Sequence, residues 1–212
     1  MNKALSGSSF EGKEIFIIKD FIEKNNKSIM YIAKDDREIF NLKDKLKWFF
    51  SENIILIFRS WDNIPYDSVS PSRLIQAERI NTLNQIKNIN KKIIILTSVN
   101  AILQKTINSK FINDYFFTIK KNTNINYNEF IKKLTLLGFE KTSVVREVSE
   151  FAVRGSIIDL FLSDNKNPLR LDFFDNFLSN IYEFDKFTQK KINQVTNEVT
   201  ISPTSELIIN ND

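Results

Sequence analysis

Apolar residues at Ile15, Ile18, Phe21 and Ile22 recur at three- and four-residue intervals, the spacing of one helical face. Ser8 or Ser9 would cap that helix. The pattern then alternates between two periods. Ser28–Lys34 (SIMYIAK) reads as a strand, and Asp35–Phe50 as a helix with Ile39, Leu42, Leu46 and Phe49 on one side. Asp35 or Asp36 is its N-cap. Ile54–Arg59 (IILIFR) is a continuous apolar run, as expected of a strand covered on both faces. A helix carrying Leu74, Ile75, Ile80 and Leu83 follows, then a second such strand at Lys92–Val99 and a short helix over Asn100–Ile107. Strands alternating with helices predict an α/β fold with a parallel sheet.

Near Phe117 the pattern changes. Asn126–Phe139 (NYNEFIKKLTLLGF) is one amphipathic helix with Gly138 placed to stop it. Beyond it come β-period segments: Thr142–Val148, Phe151–Gly155, Ser156–Leu162, Pro168–Phe174 and Leu178–Asp185. Gly155, Ser163–Asn167 and Asp175-Asn176 separate several of them, which predicts an antiparallel meander. The expected organisation is therefore a parallel-sheet, P-loop-like α/β domain over 1–118 and a smaller α+β domain over 119–196. A tail over 197–212 holds one more strand and leads toward a missing segment.

Composition narrows the chemistry. The 212 residues include neither Cys nor His. Ser-His-Asp triads, Cys-His pairs, disulfides and His- or thiolate-bound zinc are excluded. The net charge of +4 permits nucleic-acid contact without arguing for it. With no long apolar run and no signal-peptide pattern, a cytoplasmic protein without membrane contact is expected.

One stretch, Gly7–Glu14 (GSSFEGKE), nearly spells a phosphate-binding loop. Gly7, Gly12 and Lys13 fit, but Glu14 stands where a Ser or Thr hydroxyl would hold Mg²⁺. A carboxylate there repels phosphates, so the loop reads as degenerate and no cofactor is expected. The competing reading is an ATPase- or helicase-like domain using residues 7–13. The loop Trp61–Ser72 (WDNIPYDSVSPS) is either an ordered cover for the sheet or a remnant nucleotide-side or partner-binding loop. Glu78 and Arg79 could tether it.

The β segments carry the richest signal. In Pro168–Phe174, period two puts Leu169, Leu171 and Phe173 on one face, and Arg170, Asp172 and Phe174 on the other. In Ser156–Leu162, Ile158, Leu160 and Leu162 suit the core, and Asp159 is expected to face out. Arg154 shares the core parity, so Gly155 would have to kink the strand for Arg154 to reach solvent. Two readings compete: a surface Arg–Asp pair contributing less than about 1 kcal/mol, and a docking face, for which Arg and aromatics are the enriched residue types.

The segments WDNIPYDSVSPS, SVNAILQK, EFAVRGSIIDLF, RLDFFD and FDKFTQK occur in this order. Together they resemble the N-terminal, UvrB-homologous region of the transcription-repair coupling factor (Mfd) family. The resemblance implies a first domain with a degenerate nucleotide site and a second, non-catalytic domain that docks UvrA. It implies contact residues at Arg154, Arg170 and Phe174. Motor domains, and the contacts with RNA polymerase and DNA, would lie in segments absent from this chain. Two positions depart from the family pattern: Ser149 stands where Gly is usual, and Arg73-Leu74 replace a common Pro-Asp.

Overall fold

The computed structural model describes residues 12–51, 54–63, 69–195 and 197–206. Gly7 and most of the loop it opens lie outside them. In chain order the elements are α1 (Lys13–Asn25), β1 (Ile29–Ala33), α2 (Asp36–Leu46), β2 (Ile55–Phe58), α3 (Arg73–Asn88), β3 (Ile94–Ser98) and α4 (Val99–Leu103). Then follow α5 (Ser109–Tyr115), β4 (Phe117–Lys120), β5 (Thr123–Asn124), α6 (Tyr127–Leu136), β6 (Glu140–Lys141), β7 (Glu150–Arg154) and β8 (Ile157–Leu160). The last are β9 (Leu169–Phe174), β10 (Phe177–Phe184), β11 (Lys191–Val195) and β12 (Glu198–Ile201).

They fall into two compact units. The first comprises the described residues up to Ser60 together with Ile89–Gln104; the second comprises Trp61–Asn88 and the chain from Lys105. Helix α3 thus groups with the second unit.

In the first unit, β1, β3 and β2 form a parallel sheet in that order. Ile15, Ile18 and Ile22 of α1 and Ile39, Leu42 and Leu46 of α2 pack into one core with Ile55, Ile94 and Leu96. Asp35 caps α2 by accepting the Glu38 N–H at 2.9 Å. The helix ends at Leu46, short of the expected Phe50; Phe49 lies in the following turn and is exposed. Likewise α4 stops at Leu103 instead of reaching Ile107.

The C-terminal ends of all three parallel strands converge on Asp36. Its carboxylate accepts the Ser98 hydroxyl (2.6 Å), the Ser60 hydroxyl (3.1 Å) and the Ser60 N–H (3.1 Å). Arg59 Nε stands 3.9 Å away. Ligands of open parallel sheets bind at this edge; here the edge holds an anion of the protein's own.

In the second unit, β7 to β11 form a consecutive antiparallel meander, of which the alternation predicts β7 to β10 but not β11, and β6 adds to β7 in parallel. Thr142–Val148 is not the expected strand. Glu150 Oε2 accepts the N–H groups of Arg146 (2.7 Å) and Glu147 (2.9 Å), donors that a ladder would have used. One face of the sheet carries Phe151, Ile158, Leu160, Leu169, Leu171, Phe173 and Ile181, packed with Phe130, Leu134 and Leu137 of α6 and its C-cap. Beside them sit Ile119 and Ile201 from the antiparallel pair β4–β12.

Gly138 ends α6 as predicted. Its φ of 90° is open to glycine, and an added Cβ would lie 2.6 Å from Ser205 Cβ. Arg79, wholly buried on α3, pairs with Glu206 and lies 5.1 Å from the Trp61 ring. Arg79 thus meets the loop through its Trp ring, while its ion pair with Glu206 reaches outside the loop it is expected to tether. Burial raises the Glu206 pKa even against the pull of Arg79.

Candidate functional site: the open face of the antiparallel sheet

Strand β9 is the base of the site. Its burial alternates as the sequence predicts: Leu169, Leu171 and Phe173 enter the core, while Arg170, Asp172 and Phe174 turn to the other face. Asp159 departs from expectation. It lies on that second face, opposite Arg170 in the β8–β9 register, but is only 1% exposed. Arg170 Nε and Nη2 donate to its two oxygens at 2.6 and 2.8 Å, and Arg154 Nη2 donates at 2.6 Å. Two long cations thus cover the carboxylate from above: the Arg–Asp pairing offered as one reading is present, but its carboxylate is buried and not of surface type.

Arg154 reaches this face without a kinked strand. The hairpin through Gly155-Ser156 pairs Arg154 with Ile157 and Val153 with Ile158. A two-residue connection makes the paired positions sum to an odd number, so core parity switches between the strands. Phe151 and Val153 join Ile158 and Leu160 on the core side, while Arg154 joins Asp159. Gly155 supplies the positive φ of 59° that the tight turn needs.

The two arginines are not equivalent. The Arg170 side chain is 14% exposed and its guanidinium lies 4.5 Å from the Phe184 ring centroid. Its pKa is raised, first by the hydrogen bond to Asp159. The Arg154 side chain is 43% exposed, and its Nη2 also donates to Gln189 Oε1 at 3.0 Å. Phe174, the last residue of β9, is 76% exposed. It pairs with Phe177 across the tight Asp175-Asn176 turn, where Asp175 adopts φ 52°. Asn176 fixes that turn, its side-chain oxygen accepting the Tyr127 N–H at 3.0 Å.

Asp172 completes the row. Burial raises its pKa, against the lowering pull of Arg170 and Lys191. Below the cations, Ala152, Phe161, Phe184 and Val145 form a small second core that supports the clamp. Gln189, which the sequence reading holds only as part of FDKFTQK and gives no site role, sits at φ 60° and holds the turn by donating to the Lys186 carbonyl at 2.8 Å. No local pattern signals that its other end meets Arg154.

A family model described as the UvrB interaction domain matches residues 117–207, the stretch that contains every residue of this face. Curated transcription-repair-coupling factors align along nearly the whole chain. The chain carries a UvrB-homology region of the transcription-repair coupling factor family. Those of Rickettsia bellii and Rickettsia typhi are 29% and 32% identical over 198 residues, each match covering 93% of this chain and 18% of the relative. That of Haemophilus influenzae is 28% identical over 200 residues, covering 94% and 17%. The chain thus spans less than a fifth of the length of these relatives. Within the UvrB interaction domain, the open face offers oriented cations and an unsheltered ring. Among the described residues no group of His, Cys, Asp or Glu is arranged to hold a metal ion. None of the described helices is long and apolar enough to cross a membrane.

The first unit retains two members of the near-loop. Gly12, at φ 94°, precedes α1, and Lys13 opens it. The Gly12 N–H donates to Glu14 Oε2 at 3.0 Å, so the carboxylate takes a backbone donor that a phosphate would use. Of the Trp61–Ser72 loop, residues 64–68 lie outside the described set. Its ends are joined by Ser72 N–H donating to Asp62 at 2.9 Å and Asn63 Nδ2 donating to the Val69 carbonyl at 2.8 Å. A cavity of about 630 Å³ opens beside it, lined among others by Trp61, Arg73, Gln76 and Ser205.

Proposed function

We propose that the UvrB interaction domain of this chain is a non-catalytic module that docks UvrA through Arg154, Arg170 and Phe174, and so brings excision repair to stalled RNA polymerase. The observation that carries this reading is Phe174, a large ring left in water at the rim of a charged, rigidly hydrogen-bonded sheet face. Such a ring loses little conformational freedom on binding and buries much area, which is how interface anchors act. Arg154 supplies a charged donor beside it, while Arg170 keeps Asp159 and Arg154 in place. The docking domain corresponds to residues 119–196, and contacts with RNA polymerase and DNA belong to segments outside this chain. The first unit serves as a P-loop-like scaffold with no bound nucleotide, a reading supported by the Glu14 and Asp36 carboxylates at the places an anion would use. The cytoplasm is where such a partner would be met.

Titration of the 212-residue chain with purified UvrA tests the proposal. Phe174→Ala and Arg154→Glu each weaken binding by at least about tenfold, or roughly 1.4 kcal/mol, with unchanged far-UV spectra. Arg170→Glu is the poorer probe, because Arg170 is largely buried and makes two of the three hydrogen bonds to Asp159, whereas a side chain at 154 can turn to solvent. Equal affinity for wild type, Phe174→Ala and Arg154→Glu would remove the basis for the docking reading.

A further inference from the structure

Phe187, a second exposed ring, lies in the turn that meets this face through Gln189. It is 81% exposed, yet it sits in a tightly fastened turn, Asp185–Lys190. Asp185 Oδ1 accepts the Phe187 N–H (3.1 Å), the Thr188 N–H (2.7 Å) and the Thr188 hydroxyl (2.9 Å). The backbone closes with Gln189 N–H donating to the Asp185 carbonyl and Asp185 N–H donating to the Lys190 carbonyl, at 2.8 and 2.9 Å. Lys186 Nζ lies 5.3 Å from the ring centroid.

Gln189 ties this turn to the arginines. Its Oε1 accepts from the same Arg154 Nη2 that donates to Asp159. The two rings stand at opposite ends of strand β10, since Phe174 pairs with its first residue, Phe177, and the turn follows its last, Phe184. Four residues of strand separate Arg170 from Phe174, on the order of 13 Å. Phe187 is two residues from Gln189, at most about 7 Å. The rings thus bracket the cations within a length that fits a standard interface of about 800 Å² per partner.

We infer that the turn Asp185–Lys190 is a second arm of the docking surface, with Phe187 an apolar anchor for the same partner that Phe174 engages. This rests on the docking reading above. The partner surface it fits has two hydrophobic hollows with acidic groups between and around them, facing Arg154 and Lys186. The turn's hydrogen bonds hold the ring ready, so little ordering is needed on contact.

The test measures UvrA affinity and thermal midpoint for the wild-type chain, Phe174→Ala, Phe187→Ala and the double variant. Phe187→Ala weakens binding about tenfold and leaves the midpoint within about 1 °C, because so exposed a ring supports little of the fold. The two losses multiply to about a hundredfold in the double variant, as expected of separated sites. Wild-type affinity in Phe187→Ala with a loss in Phe174→Ala overturns the second arm and leaves the docking reading standing. No loss in any variant, or no binding by the wild-type chain, overturns both.

Discussion

Asp159→Asn keeps the shape of the buried side chain and removes its charge. The carboxylate accepts three charge-assisted hydrogen bonds, two from Arg170 and one from Arg154. Bonds to charged groups contribute about 1.5–3 kcal/mol each, an upper total of roughly 4.5–9 kcal/mol. The total must be discounted. An asparagine still accepts at one oxygen, its burial costs less than that of a carboxylate, and Arg154 is partly exposed. Against this, the new NH₂ group points a donor at a guanidinium. Breaking a buried ion pair by removing one partner costs about 3–5 kcal/mol, and that is the expected loss. Urea titration followed by far-UV circular dichroism, with amide exchange at Leu160 and Leu171, reads the second unit directly. Arg154→Gln, by contrast, costs no more than about 1 kcal/mol. A loss below about 1 kcal/mol for Asp159→Asn would mean that the clamp is an ordinary surface pair, and the case for a pre-set cation would fall with it.

Ser149→Gly stabilises the second unit: Ser149 sits at φ 73°, is fully buried, and its hydroxyl has no hydrogen-bond partner among the described residues. Relief of left-handed strain, about 1–2 kcal/mol, exceeds the added backbone entropy of glycine, about 0.5–1 kcal/mol; a lower urea midpoint for Ser149→Gly would refute this. The carboxyls of Asp185 and Asp172 titrate in opposite directions from 3.8, which NMR of each side chain can follow. Hydrogen bonds from Thr188 lower Asp185, so its contribution to the turn is present above 3.8 and lost as pH falls through the depressed value. Burial raises Asp172, so its contribution is full below 3.8 and lost as pH rises through the raised value; midpoints in the reverse order would refute both assignments.

The sheet faces were legible because one strand with one buried side forces strict alternation, and Leu169 to Phe174 obey it. Gly138 was legible for a similar reason: a left-handed residue at a helix end has few candidates. Asp159 was not legible. Its burial comes from two arginines of other strands folding over it, a property of register and side-chain reach, not of period. Arg154 was misread in parity because the hairpin length, not the sequence pattern, decides which residues share a face across a turn. The Thr142–Val148 segment has strand composition, but Glu150 diverts its backbone donors. Gln189 and Phe187 enter the sequence reading only as part of FDKFTQK, without a contact role, because a turn's own residues say nothing about the neighbours it reaches.

The Asp36 carboxylate also bears on when the first unit can fold. A domain whose strand ends require a bound phosphate gains stability in proportion to the logarithm of ligand concentration. Here the neutralising anion is covalently part of the chain and is delivered by β1 and α2 themselves. The Ser98 and Ser60 donors at the strand ends are therefore met at any ligand concentration, and their contribution to the unit's folding carries no such logarithm.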